Sequence, residues 1–189
     1  MEILVVATGL LSPGFETDAP SFVDRSNLAL TEVPGFVRMT LWRSVPNPSR
    51  HLLLSQYRSV EAANDGLDVL AEKGLLLQSM GMLDEAPEVY RVEVRGTHGA
   101  TPDATRVFDY LTMSQRLCDP GQSEQGLAEL AEILESMRIL DGNIGDLYGP
   151  SESLPDQLFS LIFWRGFAEA ANSLPNHKLY AVEAFERLR

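Results

Sequence analysis

The sequence predicts an α+β fold of two ferredoxin-like βαββαβ units, and three observations carry that prediction. Tyr57-Arg58-Ser59 followed by Glu61-Ala62-Ala63-Asn64 returns as Trp164-Arg165-Gly166 followed by Glu169-Ala170-Ala171-Asn172. Each copy comes after an apolar, strand-like run and before a Tyr-x-Val-Glu strand, at Tyr90, Val92 and Glu93 and again at Tyr180, Val182 and Glu183. The order strand, helix, strand, strand, helix, strand is then read twice along the chain. A repeat of about a hundred residues has the size of a small domain and is too long for a solenoid unit. The units are expected at 1–98 and 104–189, joined where Gly96, Gly99 and Pro102 gather among polar residues.

In the first unit, Leu4 to Leu10 is apolar and β-branched and stops at Ser12-Pro13-Gly14, a strand and its turn. Asp18 suits a helix cap, with Pro20 in the first turn. Val33-Pro34-Gly35 ends that helix. Phe36 to Val45 and His51 to Arg58 are two strands of a hairpin turned at Pro46-Asn47-Pro48. Ser59 can cap the next helix, whose Val60, Ala63, Leu67, Leu70 and Ala71 recur at spacings of three and four. The stretch from Gly74 to Met82 has no decisive period. Glu88 to Thr97 reads as the fourth strand. In the second unit, Thr105 to Arg116 is a strand, and Ser123 opens a helix with Leu127, Leu130, Ala131, Leu134 and Met137 on one face. Gly142 to Tyr148 is a Gly-interrupted strand, Leu158 to Trp164 an apolar one. Phe167 to Leu174 is a short helix ended by Pro175, and Lys178 to Arg187 is the last strand.

Composition narrows the function classes. The chain has 189 residues, 44% of them hydrophobic, and a formal charge of −12. Halves packed together can bury roughly 70% of the unfolded surface, against about 60–65% for each alone. The acidic balance argues against nucleic acid or an anionic membrane surface as partner, because both require concentrated Lys and Arg. Cys118 is the single cysteine, which excludes an internal disulfide and fits a reducing, cytoplasmic setting. No apolar run is long enough for a membrane helix. His51, His98 and His177 show no metal-ligand spacing. Phosphate loops and nucleophile elbows are absent.

Sheet parity points to a partner surface. In Phe36 to Val45, Val37, Met39, Leu41 and Val45 suit the helix side, and Phe36, Arg38, Thr40 and Trp42 form the other, large and amphipathic set. Apolar surface on both sides of a sheet needs covering.

Pro34-Gly35-Phe36, Tyr57-Arg58-Ser59, Glu61-Ala62-Ala63 and the strand from Tyr90 to Arg95 resemble the antibiotic-biosynthesis monooxygenase-like family of dimeric α+β barrels. Phe163-Trp164-Arg165, Glu169-Ala170-Ala171 and Tyr180 to Phe185 repeat the resemblance. It implies two ferredoxin-like βαββαβ units forming an intramolecular dimeric α+β barrel, with a cavity between each sheet and its helices or inside the barrel. It also implies a range of activities: cofactor-free oxygenases, haem-degrading enzymes, and signalling or stress-related proteins.

A cofactor-independent monooxygenase acting on a small planar apolar compound requires an aromatic-lined cavity, an oxyanion donor and a proton relay. The catalytic candidates are Arg38, Trp42, Tyr57 and Trp164, and the substrate-binding candidates Phe36, Thr40, Tyr110 and Asn172. Against these stand plainer roles: Tyr57 and Trp164 as packing where strand three enters helix two, Arg58 and Arg165 as solvated strand ends, and Arg38 in a strand-edge ion pair. The competing functions are a non-catalytic ligand-binding or stress-response barrel and a haem-binding protein. His177 stands near the place of the ligand in haem-binding relatives, but Pro175 intervenes and the first half has no counterpart. No cofactor is therefore expected. The expected partner is a small molecule, the expected assembly a monomer with an internal pseudo-dimer or a homodimer, and divergence between the halves predicts one working pocket.

Overall fold

The computed structural model describes residues 1–99, 109–173 and 181–189. The chain divides into two compact units, Met1–Arg91 with Leu188–Arg189, and Val92–Arg187. Both are α+β, and both carry the ferredoxin-like strand order.

The first unit contains β1 (Ile3–Leu10), α1 (Asp18–Leu30), β2 (Phe36–Ser44), β3 (Arg50–Tyr57), α2 (Val60–Glu72), α3 (Leu75–Gly81) and, as far as Arg91, β4 (Glu88–Glu93). Its sheet runs β4-β1-β3-β2. The hairpin forms as the Pro46-Asn47-Pro48 turn predicts, with Met39 opposite Ser55 and Trp42 opposite Leu52. Leu188 and Arg189 complete the unit through backbone hydrogen bonds with Leu41.

Local chemistry explains the element ends. Ser59 caps α2, its Oγ accepting from the Ala62 amide at 3.2 Å. Asp18 is not the cap of α1. Thr17 takes that position without a side-chain bond, and Asp18 is the first helical residue, where its charge favours the positive end of the helix. Gly35 connects α1 to β2 at φ 90°, a conformation that a residue with a Cβ rarely adopts. The period in α2 is rotated from the expected one. Ala62, Ala63, Gly66 and Leu70 are buried, and Leu67 is exposed. Gly66 faces inward because the Tyr57 ring fills the space its side chain would take. The undecided stretch after Gly74 is the helix α3.

The second unit contains β5 (Gly96–Gly99), β6 (Tyr110–Leu117), α4 (Ser123–Met137), β7 (Asn143–Pro150), β8 (Gln157–Trp164), α5 (Phe167–Ser173) and β9 (Ala181–Arg187). Its sheet runs β9-β6-β8-β7-β5, the same order as the first with an added edge strand. The single strand expected from Glu88 to Thr97 is two strands. β4 lies beside β1, and β5 pairs with β7, Gly96 opposite Tyr148. Leu127, Leu130, Leu134 and Met137 of α4 are buried against Leu158, Ile162 and Trp164 of β8, as the period of that helix predicts.

Among the described residues, no helix is long and apolar enough to cross a membrane.

Candidate functional site

Register separates the sequence-derived candidates onto opposite faces of the first sheet. Arg38 pairs with Gln56, Thr40 with Leu54 and Trp42 with Leu52, and in β1 Leu4, Val6 and Thr8 continue these rows. All nine residues are buried. Trp42 donates from Nε1 to Thr40 Oγ1 at 2.9 Å, and Gln56 donates to the Glu2 carboxylate. Arg38, Thr40 and Trp42 thus share the face turned away from the helices, as parity predicts.

Phe36 does not share it. A bulge between Phe36 and Arg38 shifts the register, because two residues on the bulged strand oppose one on its partner. Phe36 therefore faces the helices and packs on Tyr57 with ring centroids 5.5 Å apart. Tyr57 itself is 2% exposed and lies in a cluster with Ile3, Ala62 and Ala63, beneath α2. Burial pushes its hydroxyl up to about 12, and neighbouring Arg91 and Ser55 only partly oppose this. A phenol so reluctant to ionise is not a base at neutral pH.

The second copy of the motif behaves alike. Trp164 is buried against α4 and Ala170, and its Nε1 donates to Thr112 Oγ1 at 3.0 Å. Tyr110 pairs with Trp164 across β6 and β8 and stands 5.7 Å from the Phe167 ring. Asn172 belongs to α5, and its side chain lies outside the described residues, as does all of His177. Arg58 and Arg165 are exposed. Asn64 accepts from Arg91 at 2.6 Å and ties α2 to β4. In the described side chains, the repeated aromatic position packs the junction of strand three and helix two.

The cavity lies on the helix side of the first sheet. It measures ≈ 90 Å³ and is bounded by Ala7 and Gly9 of β1, Leu41 of β2, His51 and Leu53 of β3, Ala19 and Phe22 of α1, and Ser79, Met82 and Leu83 in or after α3. Its wall is almost wholly apolar. Ser79 Oγ donates to the Leu76 carbonyl of its own helix at 2.7 Å, so its proton is engaged. Thr8 also borders the cavity, but its hydroxyl donates to Glu88 at 3.3 Å and accepts from Arg50 at 3.2 Å.

His51 is the remaining polar side chain. It is 7% exposed, and its Nδ1 lies 3.1 Å from the Ser49 carbonyl oxygen. A carbonyl only accepts, so Nδ1 carries the proton and Nε2 of the neutral ring holds a lone pair. Burial holds the imidazole below its usual 6.5, and Arg43 acts in the same direction. The Ser49 bond and Glu16 oppose the shift more weakly.

Sequence reasoning placed His51 at a strand start and passed over it. The available signal was parity: His51, Leu53, Ser55 and Tyr57 alternate onto one face of β3. The cavity boundary contributed by α3 had no sequence signal, because that stretch lacks a decisive period.

The second unit does not reproduce this lining. Ile3 pairs with Tyr57, and six residues along, Gly9 pairs with His51. Tyr110 pairs with Trp164, and six residues along, Arg116 pairs with Leu158. Arg116 reaches α4 and meets Glu129 at 2.7 Å. A long side chain therefore stands where the first unit has a glycine, and an apolar side chain where it has the imidazole.

No protein-family model and no curated protein matches the chain. Solved structures do. A Fusobacterium nucleatum protein provisionally named a monooxygenase is 10% identical with a TM-score of 0.78, covering 100% of this chain and 93% of its own. An anthrone oxidase-like protein is 12% identical with a TM-score of 0.71, over 100% of this chain and 92% of its own. A regulator of staphylococcal pathogenesis is 6% identical with a TM-score of 0.62, covering 99% of both chains. The class these define is a monooxygenase-like α+β fold. At such identities the likeness concerns the fold alone, and that fold serves proteins with different names.

Proposed function

We propose that the chain is a cofactor-independent monooxygenase whose substrate, a small planar apolar hydroxy-aromatic compound, binds in the cavity of the first unit. The observation that carries this reading is an apolar, partly open cavity lined by a neutral imidazole whose Nε2 keeps its lone pair. Electron-rich phenols and quinols react with dioxygen once deprotonated, and an apolar site that excludes water protects the resulting anion. For a quinol the balance is complete with dioxygen alone. The O–H bond breaks, the ring carbon next to that C–O group bonds to dioxygen, and the hydroperoxide collapses as its O–O bond and the C–H bond of that carbon break, hydroxide and the ring proton leaving together as water. One oxygen atom stays on the ring, the other leaves in water, and the quinol becomes a hydroxyquinone.

Size selects among candidates. A cavity of ≈ 90 Å³ is below the ~150 Å³ of an apolar cavity that accepts benzene and far below the ~300 Å³ of typical ligand sites. A single ring requires a small outward shift of α3 or its neighbours, and a three-ring substrate a large one. Single-ring quinols are accordingly the first compounds to test.

Oxygen uptake is the assay. The wild type should consume oxygen with a single-ring quinol and form the hydroxyquinone. Filling the cavity by Ala7→Phe or Gly9→Val should cut the rate about tenfold or more, which corresponds to ~1.4 kcal/mol of barrier. Quinol binding with no oxygen uptake would make the chain a ligand-binding barrel and overturn the oxygenase reading.

A further inference from the structure

We infer that His51 is the substrate-contacting proton acceptor of this site: its Nε2 takes a hydrogen bond, and then the proton, from the hydroxyl of a bound single-ring phenol or quinol. The inference deepens the oxygenase reading and rests on it for the reaction, although the contact itself is testable without turnover.

Geometry carries it. β3 turns His51 toward the helices and into the cavity wall. The Ser49 carbonyl fixes the Nδ1–H tautomer, so the basic nitrogen is the one not held by backbone. Of the other polar residues at the cavity, Ser79 gives its proton to the Leu76 carbonyl, and Thr8 turns its side chain to the opposite face of the sheet, where it meets Glu88 and Arg50. The Ser79 oxygen keeps acceptor lone pairs but is far less basic than an imidazole nitrogen, so Nε2 is the strongest side-chain acceptor that a hydroxyl entering the cavity meets, and burying it without such a bond would be unfavourable.

The surroundings keep the acceptor neutral. Across β2 the charged group is Arg43, which disfavours a second positive charge, and before α1 it is Glu16, which favours it. β1 presents Gly9 opposite His51, and the α3 side of the cavity presents Ser79, Met82 and Leu83, none of them ionised. The proton cycle is closed. Nε2 takes the hydroxyl proton, the anion combines with dioxygen, and the imidazolium returns the proton to the peroxide before water leaves.

The test is calorimetric binding of phenol and of toluene, which lacks the hydroxyl, to the full chain and to its His51→Gln and His51→Phe variants. The expected result is that the phenol-to-toluene affinity ratio falls about tenfold in His51→Phe, the effect of losing one hydrogen bond inside an apolar site. The ratio in the wild type should fall as the imidazole protonates on acidification, with a midpoint below the usual 6.5. Should a variant fail to fold, nitrogen-15 spectra of the wild type give the same answer. The His51 signals should report protonated Nδ1 and bare Nε2, and phenol should shift Nε2.

An unchanged ratio with phenol still bound, an unmoved Nε2 signal, or no phenol binding would each overturn the inference. His51-dependent binding without oxygen uptake would retain the contact and remove the oxygenase reading instead.

Discussion

Gly66→Ala sets two opposing effects against each other at the junction where the repeated motif packs. A Cβ at Gly66 would stand 2.6 Å from Tyr57 Cε1, 2.7 Å from its hydroxyl oxygen and 3.0 Å from Cζ, against ~3.5–4.0 Å for ordinary carbon contacts. Alanine is the better helix former by ~0.8–1.0 kcal/mol. An extra methyl in a packed core costs ~1–3 kcal/mol. The ring has little room to yield, being 2% exposed and held by Phe36, Ile3 and Ala63. The steric effect should therefore win, with net destabilisation of about 1–2 kcal/mol. Urea unfolding at constant m-value measures it. In a Tyr57→Ala background the same substitution should become stabilising, by up to about 1 kcal/mol. A Gly66→Ala protein that is more stable than the wild type would refute the packing described for Tyr57.

Other expectations follow from single contacts. Because folding raises the Tyr57 hydroxyl to about 12 from 10.0, the neutral phenol's contribution is intact below pH 10 and lost as pH rises toward 12. The gap corresponds to ~3 kcal/mol at 1.36 kcal/mol per pH unit. Alkaline denaturation of the wild type and Tyr57→Phe checks it, with the variant less sensitive in that window. Ser59→Ala should cost ~1 kcal/mol by removing the cap of α2, read from thermal unfolding. Asp146, whose side chain is fully buried, accepts two bonds from Arg138 at 3.0 and 3.1 Å. Asp146→Ala should destabilise by about 2 kcal/mol, less than the ~3–5 kcal/mol of a fully buried broken pair, because Arg138 still reaches water.

The fold was legible where local chemistry and periodicity agree. Ser59 marked a helix start, Pro46-Asn47-Pro48 a hairpin turn, and the Leu127–Leu130–Leu134 spacing a buried helix face. The repeated words marked the α+β architecture, and among the described side chains their aromatic position is buried where strand three meets helix two. Legibility failed where a residue's environment depends on distant neighbours. The bulge that turns Phe36 toward the helices is a matter of two-strand register and leaves no mark in one strand. Gly66 took the inward place expected of Leu67 because a tyrosine from β3 occupies that space. The cavity is an absence of side chains created by how α1 and α3 cross the sheet, and no residue pattern encodes an absence. His51 was readable through parity alone, once β3 had been placed.

The most direct test of the central claim is the structure of the protein with a single-ring quinol bound under anaerobic conditions. The account predicts the ring between α1, α3 and the first sheet, with a hydroxyl within hydrogen-bond distance of His51 Nε2. A quinol bound on the opposite face, against Arg38 and Trp42, would contradict it.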